Sequence, residues 1–172
     1  TNARALEIIP IEALQANEAT RAVPVIILSA HDLSAADLER CNRGVAGILG
    51  KGLFTTDETL QHIQAALQRQ PALSRSTQQL IRKAMAYIHQ HFAEPLTREE
   101  IAGQVGISTD YLTDCFRQEL GIPPITYIRR YRIRQACAIL RTTDHSITHI
   151  ALAVGFSDGA HFTRTFQREM KM

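Results

Sequence analysis

The sequence lacks the features of membrane-spanning, secreted and disulfide-linked proteins. No apolar run approaches the roughly 18 residues that a membrane span requires, because VPVIILSA is broken at once by His31 and Asp32. No basic segment followed by an apolar segment and a small-residue site resembles a signal peptide. The 3 cysteines are widely separated and form no CxxC pair, which favours buried, reduced thiols. We therefore expect a cytoplasmic protein with no membrane contact and no cofactor.

Catalytic and metal-binding patterns are also absent. Ser29, His31 and Asp32 follow one strand, but residues so close in sequence project in different directions, and no G-x-S-x-G elbow surrounds the serine. His89 and His91 would point to different faces of a helix, so we expect ordinary surface histidines rather than metal ligands. The sequence therefore argues against an enzyme and against a metal site.

The net charge of +2 is divided unevenly along the chain. Residues 1–75 carry 7 Lys and Arg against 8 Asp and Glu, a net charge of −1, whereas residues 76–172 carry 12 against 9, a net charge of +3. An anionic partner would therefore bind the second half. Because the first residue is Thr rather than Met, we expect the sequence to be a piece of a longer protein.

A short polar segment separates two kinds of pattern. A helix that starts at the capping-box pair Thr55 and Glu58 should stop before Pro71, which leaves QPALSRST as a linker. Before it, VPVIIL and VAGIL predict two strands of a parallel sheet, each followed by a helix. We predict a partial α/β domain at 1–70, a linker at 71–77 and a helical domain at 78–172. The predicted helices of that domain are 76–92, 98–104, 109–120, 125–141, 147–153 and 158–170.

The helical half contains a repeat. The segment IAGQVGISTDYLTDCFRQEL, 101–120, returns as IALAVGFSDGAHFTRTFQREM at 150–170, with one extra residue where the second helix of the repeat begins. In each copy a short helix is followed by a Gly turn and by a serine cap, Ser108 or Ser157. A plain helical bundle uses the same devices. Two copies joined by the Arg-rich YIRRYRIRQACAILRTT favour paired helix-turn-helix units that bind double-stranded DNA.

Three segments of this half resemble the paired helix-turn-helix domain of the AraC/XylS family of bacterial transcription regulators. They are LTREEIAGQVGISTDYLTDCFRQELG, YIRRYRIRQACAIL and SITHIALAVGFSDGAHFTRTFQRE. The resemblance implies that the helix at 125–141 holds two recognition helices, 108–119 and 158–169, in successive major-groove segments. In the family a Gly, a Pro and a final short helix usually follow; Lys171 stands where that Gly is expected, and we expect this last packing element to be cut away. RNA polymerase is a further candidate partner.

Exposed residues of the two recognition helices are the candidate DNA contacts, whereas Leu112, Phe116, Phe162 and Phe166 should fill their inner faces. Arg164 is the strongest candidate because a guanidinium can contact guanine O6 and N7 together, although a solvated surface arginine is the alternative. Arginines of the connecting helix would contact phosphate or hold the two units together through carboxylates. The full candidate set is Asp110, Thr113, Asp114, Arg117, Arg130, Arg134, Gly159, Ala160, His161, Thr163 and Arg164.

The first half resembles the C-terminal part of a response-regulator receiver domain. PVIILSA would be its fourth strand, with Ser29 as the hydroxyl that senses phosphorylation, and GILGKG its fifth strand, with Lys51 as the phosphate-contacting lysine. Ile48 and Gly52 depart from the aromatic residue and the Pro of that family. No Asp precedes Asp32, so the resemblance implies no phosphoacceptor within this sequence.

Together these patterns predict a mainly α fold, with two helix-turn-helix units joined by a long helix and preceded by an incomplete α/β receiver fragment with two parallel strands. The preferred function is a sequence-specific DNA-binding regulator, the output part of a two-component response regulator. The alternative is a signalling module that forms a homodimer through the receiver remnant and docks on protein. A gel shift at increasing salt separates them, because phosphate contacts weaken steeply with salt.

Overall fold

A computed structural model describes residues 11–29, 33–41, 45–68 and 74–170. The chain is mainly helical, as predicted, and every predicted strand and helix is present. An additional short helix, α1, was not predicted. The elements are α1 Ile11–Ala16, β1 Val25–Ser29, α2 Ala35–Arg40, β2 Val45–Gly50, α3 Thr56–Leu67, α4 Arg75–His91, α5 Arg98–Val105, α6 Thr109–Leu120, α7 Pro124–Thr142, α8 Ile147–Ala153 and α9 Gly159–Met170.

The two strands form a parallel pair, with α2 in the connection between them. Val25 is opposite Val45, and after an irregularity the register runs from Ile26 opposite Gly47 to Ser29 opposite Gly50. β2 is well covered, since Val45, Ile48 and Leu49 are buried, but Leu28 of β1 is 57% exposed. Part of the apolar surface of the first strand is therefore exposed. Among the described strands, β1 has β2 as its one neighbour.

Helix ends follow the local chemistry of the sequence. Thr55 and Glu58 form the predicted capping box of α3, in which the Glu58 amide donates to Thr55 Oγ1 at 3.2 Å and the Thr55 amide donates to Glu58 Oε2 at 2.8 Å. Thr97 and Glu100 form a second box at the start of α5. α7 begins at Pro124, which is suited to a first helical position because its missing N–H would have no partner there.

One hydrophobic core joins the α/β segment to the first helix-turn-helix unit. Side chains from Leu33 to Leu53 pack with side chains of α4, α5, α6 and the first half of α7, up to Tyr131. The buried Arg82 of α4 adds a polar connection, since its guanidinium donates to the carbonyls of Cys41 at 2.6 Å and Val45 at 2.8 Å. The division into domains at 71–77 stays a prediction, and the described residues on its two sides share this core.

The second half of α7 packs with α8 and α9 around a separate, smaller cluster. Its buried side chains are Ile133, Ala136, Ile150, Ala151, Val154, Phe156 and Phe162. Cys41, Cys115 and Cys137 form no disulfide, and Cys41 and Cys115 are buried as predicted, while Cys137 is partly buried. Each helix-turn-helix unit therefore packs around its own hydrophobic cluster, and α7 contributes side chains to both.

Candidate nucleic-acid interface

The first helix-turn-helix unit consists of α5, a tight turn and α6. Gly106 ends α5 with a φ of 73°, in the left-handed region that glycine adopts without strain. The next amide, of Ile107, donates to the carbonyl of Ala102 at 3.0 Å. Ser108 then caps α6, because its side chain accepts from the amide of Tyr111 at 3.3 Å. The turn and the cap together fix the direction in which α6 leaves α5.

The second unit repeats this geometry with α8 and α9, but its cap differs from the prediction. Gly155 has a φ of 87°, and the amide of Phe156 donates to the carbonyl of Ala151 at 2.9 Å, 49 residues after the equivalent bond. The cap of α9 is Asp158 rather than Ser157, since Asp158 Oδ1 accepts from the amide of His161 at 2.7 Å. This bond lowers the pKa of Asp158. Ser157 is therefore the inserted residue, and α9 matches α6 at an offset of 50.

The inner faces of α6 and α9 are buried as predicted. Leu112 and Phe116 are fully buried in the first cluster, Phe162 is buried in the second, and Phe166 packs against the second cluster while partly exposed. The aromatic rings of Phe162 and Phe166 are 5.6 Å apart. Burial of these side chains leaves the opposite side of each helix free to meet a partner.

The candidate contact residues of α6 and α9 lie on that outer side. Asp110, Asp114 and Arg117 are exposed in α6, and Ala160, His161, Thr163 and Arg164 are exposed in α9, while Thr113 and Gly159 are partly buried. Two of them are repeat equivalents with the same bond, since the hydroxyls of Thr113 and Thr163 each donate to the carbonyl four residues earlier, at 2.9 and 2.8 Å. The outer face of α6 thus carries two carboxylates, whereas Arg164 is the charged residue among the candidates of α9.

Arg130 and Arg134 of α7 turn towards the α/β segment. The Arg130 guanidinium pairs with Glu58 of α3 at 2.8 Å and with Glu169 of α9 at 3.2 Å. Arg134 lies beside Gly50 of β2, and its guanidinium carbon is 5.0 Å from the centre of the Tyr131 ring. Burial lowers the pKa of Arg134. Their contact with phosphate stays a prediction, and the ion pairs of Arg130 are those expected of an arginine that holds units together.

The acidic partners of Arg130 were missed by sequence analysis. Burial alone would raise the pKa of Glu58, but the hydrogen bonds from Arg130 and from the Thr55 amide outweigh it, and the pKa lies below its usual value. Glu169 also accepts from Arg129 Nε at 2.9 Å. The sequence could have indicated Glu169, because this residue is the repeat equivalent of Glu119. Carboxylates were also expected to pair with the arginines of the connecting helix. No local pattern connects Glu58 with a helix more than 60 residues away.

His89 is not the surface histidine that was predicted. It belongs to α4, and its ring lies 4.2 Å from the Tyr131 ring in a stacked arrangement. Its Nε2 is 2.8 Å from the Tyr127 hydroxyl, and its Nδ1 is 3.4 Å from the Leu33 carbonyl oxygen. Burial lowers the pKa of His89 to about 4. The histidine therefore has a structural role where α4 meets α7.

Ser29 and Lys51 lie side by side at the carboxyl ends of the parallel strands. Ser29 is buried and Lys51 is exposed, and the Lys51 amide donates to the Ser29 carbonyl at 2.6 Å. His31 and Asp32 lie outside the described residues. Among the residues that the structure does describe, no group of three or more His, Cys, Asp and Glu could hold a metal ion. No helix within the same ranges is long and apolar enough to cross a membrane.

Comparison with known proteins matches the helical half of the chain. A family described as a helix-turn-helix domain matches residues 101–172. The HTH-type transcriptional activator RhaS of Salmonella schwarzengrund (strain CVM19633) is 38% identical over 89 residues, which are 52% of this chain and 32% of that protein. The RhaS protein of Salmonella arizonae (strain ATCC BAA-731 / CDC346-86 / RSK2980) matches equally. The chain therefore spans about a third of the length of these relatives.

Solved structures resemble the same half. A transcriptional regulator from Chromobacterium violaceum, described by its AraC-type DNA-binding domain, is 33% identical with a TM-score of 0.54, over 58% of this chain and 88% of that one. The C-terminal domain of AraT, a response regulator from Geobacillus stearothermophilus, is 33% identical with a TM-score of 0.52, over 54% and 78%. The C-terminal domain of the two-component response regulator yesN from Fusobacterium nucleatum is 26% identical with a TM-score of 0.50, over 52% and 93%.

Proposed function

Because the chain belongs to the AraC-type helix-turn-helix DNA-binding proteins, we propose that it is a sequence-specific transcription regulator that binds DNA through α6 and α9. The observation that carries this proposal is the division of each recognition helix into a buried apolar face and an exposed polar face that holds the candidate contacts. The second helix of a helix-turn-helix unit enters the major groove in this way, with its N-terminal residues at the base edges.

Two recognition helices in one chain favour an asymmetric DNA site. The units are joined by the continuous helix α7, so both can contact one face of the duplex, with contact segments roughly 10 bp apart. A single chain requires no palindrome. Footprinting on a site selected from random DNA should show two protected major-groove segments. Protection of one segment alone would mean that one unit does not bind.

The two units should contribute unequally to binding. Asp110 and Asp114 place carboxylates on the outer face of α6, where the DNA backbone repels them, although either could accept from a cytosine amino group. In α9, Arg164 is accompanied by the small residues Gly159 and Ala160, which allow a close approach to the groove. We therefore expect α9 to supply the stronger base contact.

Arg164→Ala tests this ranking, with Arg168→Ala as its matched control. Both remove one exposed arginine from α9, but Arg168 lies in the last turn, away from the N-terminal end that reaches base edges. Arg164→Ala should weaken binding to the selected site by about 1–3 kcal/mol and relax the preference at one base position. Arg168→Ala should weaken binding to all sequences alike. Titrations use matched and scrambled DNA at one salt concentration.

Asp114→Ala completes the comparison. It should strengthen binding to scrambled DNA, or relax a preference for cytosine, because a carboxylate facing phosphates is removed. If Arg164→Ala is neutral and Asp114→Ala abolishes specific binding, α6 is the main reader and the ranking is wrong. If the parent chain shows no salt-dependent gel shift with any DNA, the alternative function is favoured, in which the helical half docks on protein.

A role as the output part of a two-component response regulator is a refinement of this proposal. It is supported by the response regulators among the similar structures and by the side-by-side placement of Ser29 and Lys51. RNA polymerase, and a second copy bound through the α/β segment, are the further partners of this refinement. In a chain that includes a phosphoacceptor aspartate, acetyl phosphate should change DNA binding, and Lys51→Ala should remove that change. An unaltered response in this variant would contradict the refinement.

A further inference from the structure

Helix α3 contacts the DNA-binding half through polar side chains. None of its residues is buried, and its larger apolar side chains Leu60, Ile63 and Leu67 are exposed. The chain enters α3 from the buried Leu53, so the start of the helix is anchored in the first cluster. α3 also packs against β2, and its contacts with the helical half include those of Glu58 and His62, which lie one turn apart on the same side of the helix.

Glu58 connects α3 to the last turn of α9 through Arg130. Its two carboxylate oxygens accept from Arg130 Nη1 at 2.8 Å and Nη2 at 3.1 Å, a bidentate pair with fixed geometry. The same guanidinium donates through Nε to Glu169 at 3.2 Å. The exposed fractions of the side chains of Glu58, Arg130 and Glu169 are 26%, 17% and 15%. The network is therefore largely shielded from solvent, where ion pairs are screened less.

His62 connects the same side of α3 to the end of α6. Its ring packs edge-on against Phe54, with 5.4 Å between ring centres, and lies near the Leu120 carbonyl. It also lies beside Gly121, 3.8 Å from the position that a Cβ atom would occupy there. The end of α6 and the last turn of α9 are equivalent parts of the repeat. His62 thus lies against the end of α6, and Glu58 is connected through Arg130 to the equivalent end of α9.

We propose that Glu58 and His62 are positioning residues, which make α3 a clasp that sets the orientation of α9 relative to α6 on DNA. The inference rests on the proposed function, in that both helices must contact DNA together. The clasp leaves the outer faces of α6 and α9 exposed, so it acts on their relative position and does not cover them. A movement of the α/β segment would then change binding to a two-segment site while leaving each segment's own contacts intact.

Glu58→Gln tests the clasp, with Asp57→Asn as its matched control. Glutamine keeps the acceptor that completes the capping box of α3 but removes the charge that pairs with Arg130. Asp57 is the exposed neighbour in the same first turn, so both variants change the net charge equally. Without DNA, hydrogen exchange of the amides of 159–170 should be faster in Glu58→Gln and unchanged in Asp57→Asn. A role confined to the folding of α3 would change exchange in 56–67 alone.

The second measurement compares DNA with both contact segments against DNA in which one segment is scrambled. The preference for the two-segment site should fall about fivefold or more in Glu58→Gln, and stay at the parent value in Asp57→Asn. His62→Ala should lower it in the same direction. Unchanged exchange in α9, or an unchanged two-segment preference, would overturn the clasp. If the parent chain binds no DNA, the proposed function is wrong. The clasp then has no role in orienting the helices on DNA, even if hydrogen exchange shows that Glu58 stabilises α9.

Discussion

The hydrogen bonds of His89 require one particular neutral form of its ring. The Leu33 carbonyl can only accept, so Nδ1 carries the proton, and Nε2 then accepts from the Tyr127 hydroxyl. Protonation of Nε2 would break this arrangement and place a charge between two tyrosine rings. Burial raises the pKa of Tyr127 above its usual range, which keeps that hydroxyl protonated as the donor.

We expect His89 to make the fold less stable in acid. Its pKa is about 4 in the folded chain, below the ordinary value of 6.5, so the unfolded state binds the proton first as the pH falls. The stabilisation is complete above pH 6.5 and is lost between about pH 6.5 and pH 4, a change of about 3 kcal/mol. The free energy of unfolding in urea, measured from pH 7 to pH 4.5, should show this slope.

The matched variant is His89→Gln, which keeps polar atoms at this position but does not titrate. It should lower the free energy of unfolding at pH 7, because the stacking on Tyr131 is lost. It should also remove most of the pH dependence between pH 6.5 and pH 4.5. A variant with the slope of the parent would show that other groups cause the acid sensitivity.

At the scale of the elements, the two helix-turn-helix turns share a backbone conformation but differ in their surroundings. A Cβ atom at Gly106 would have no neighbour within 4 Å. At Gly155 it would lie 2.7 Å from the carbonyl oxygen of Phe92 and 2.9 Å from that of Ala93. Arg132 holds this segment in place, since it donates to the Phe92 carbonyl at 2.7 Å. The second turn is therefore enclosed, and the first is open.

Alanine at the two glycines should separate backbone strain from steric overlap. Gly106→Ala meets the left-handed conformation alone and should cost about 1–2 kcal/mol of stability. Gly155→Ala adds contacts with two carbonyl oxygens, which cannot move cheaply, and should cost about 2–5 kcal/mol. Chemical denaturation of the two variants measures both losses. Equal losses would mean that the segment at Phe92 gives way without cost.

Elements were more predictable than the contacts between them. Helices α5 to α9 begin and end within one residue of the prediction, because each combines a strong helical period with a cap or a Gly turn. The cap of α9 was missed because Ser157 and Asp158 are both good caps, and only the bond to His161 decides between them. The burial of His89 and the pairing of Glu58 with Arg130 were not predicted, because their partners come from distant segments that no local sequence pattern reveals.

At the scale of the whole molecule, the boundary between the two hydrophobic clusters does not coincide with the predicted linker. The larger cluster spans both sides of that linker, and the smaller one belongs to the second helix-turn-helix unit. Regions with fewer buried apolar contacts open at lower free energy than the rest of a protein. We therefore expect the part that opens first to be the second unit, and not the α/β segment as a separate domain.

Phe116→Ala and Phe162→Ala test this division, since they remove the same side chain at a buried position in each cluster. Each substitution should lower the stability of its own cluster by about 3–5 kcal/mol. Phe162→Ala should speed hydrogen exchange in α8 and α9 and leave α4 protected. Phe116→Ala should reduce protection in α4, α6 and β2 together. Loss of protection across the whole chain in both variants would show that the clusters unfold as one.

The constant offset of 50 between α6 and α9 makes their outer faces interchangeable. Leu112 and Phe116 correspond to Phe162 and Phe166, so the side chains that pack stay in place when the others are exchanged. Three substitutions, Asp110→Ala, Asp114→Arg and Arg117→Gln, would give α6 much of the outer face of α9. A protein with the same outer face on both recognition helices would select a direct repeat in DNA, in which two identical base sequences lie one helical turn apart.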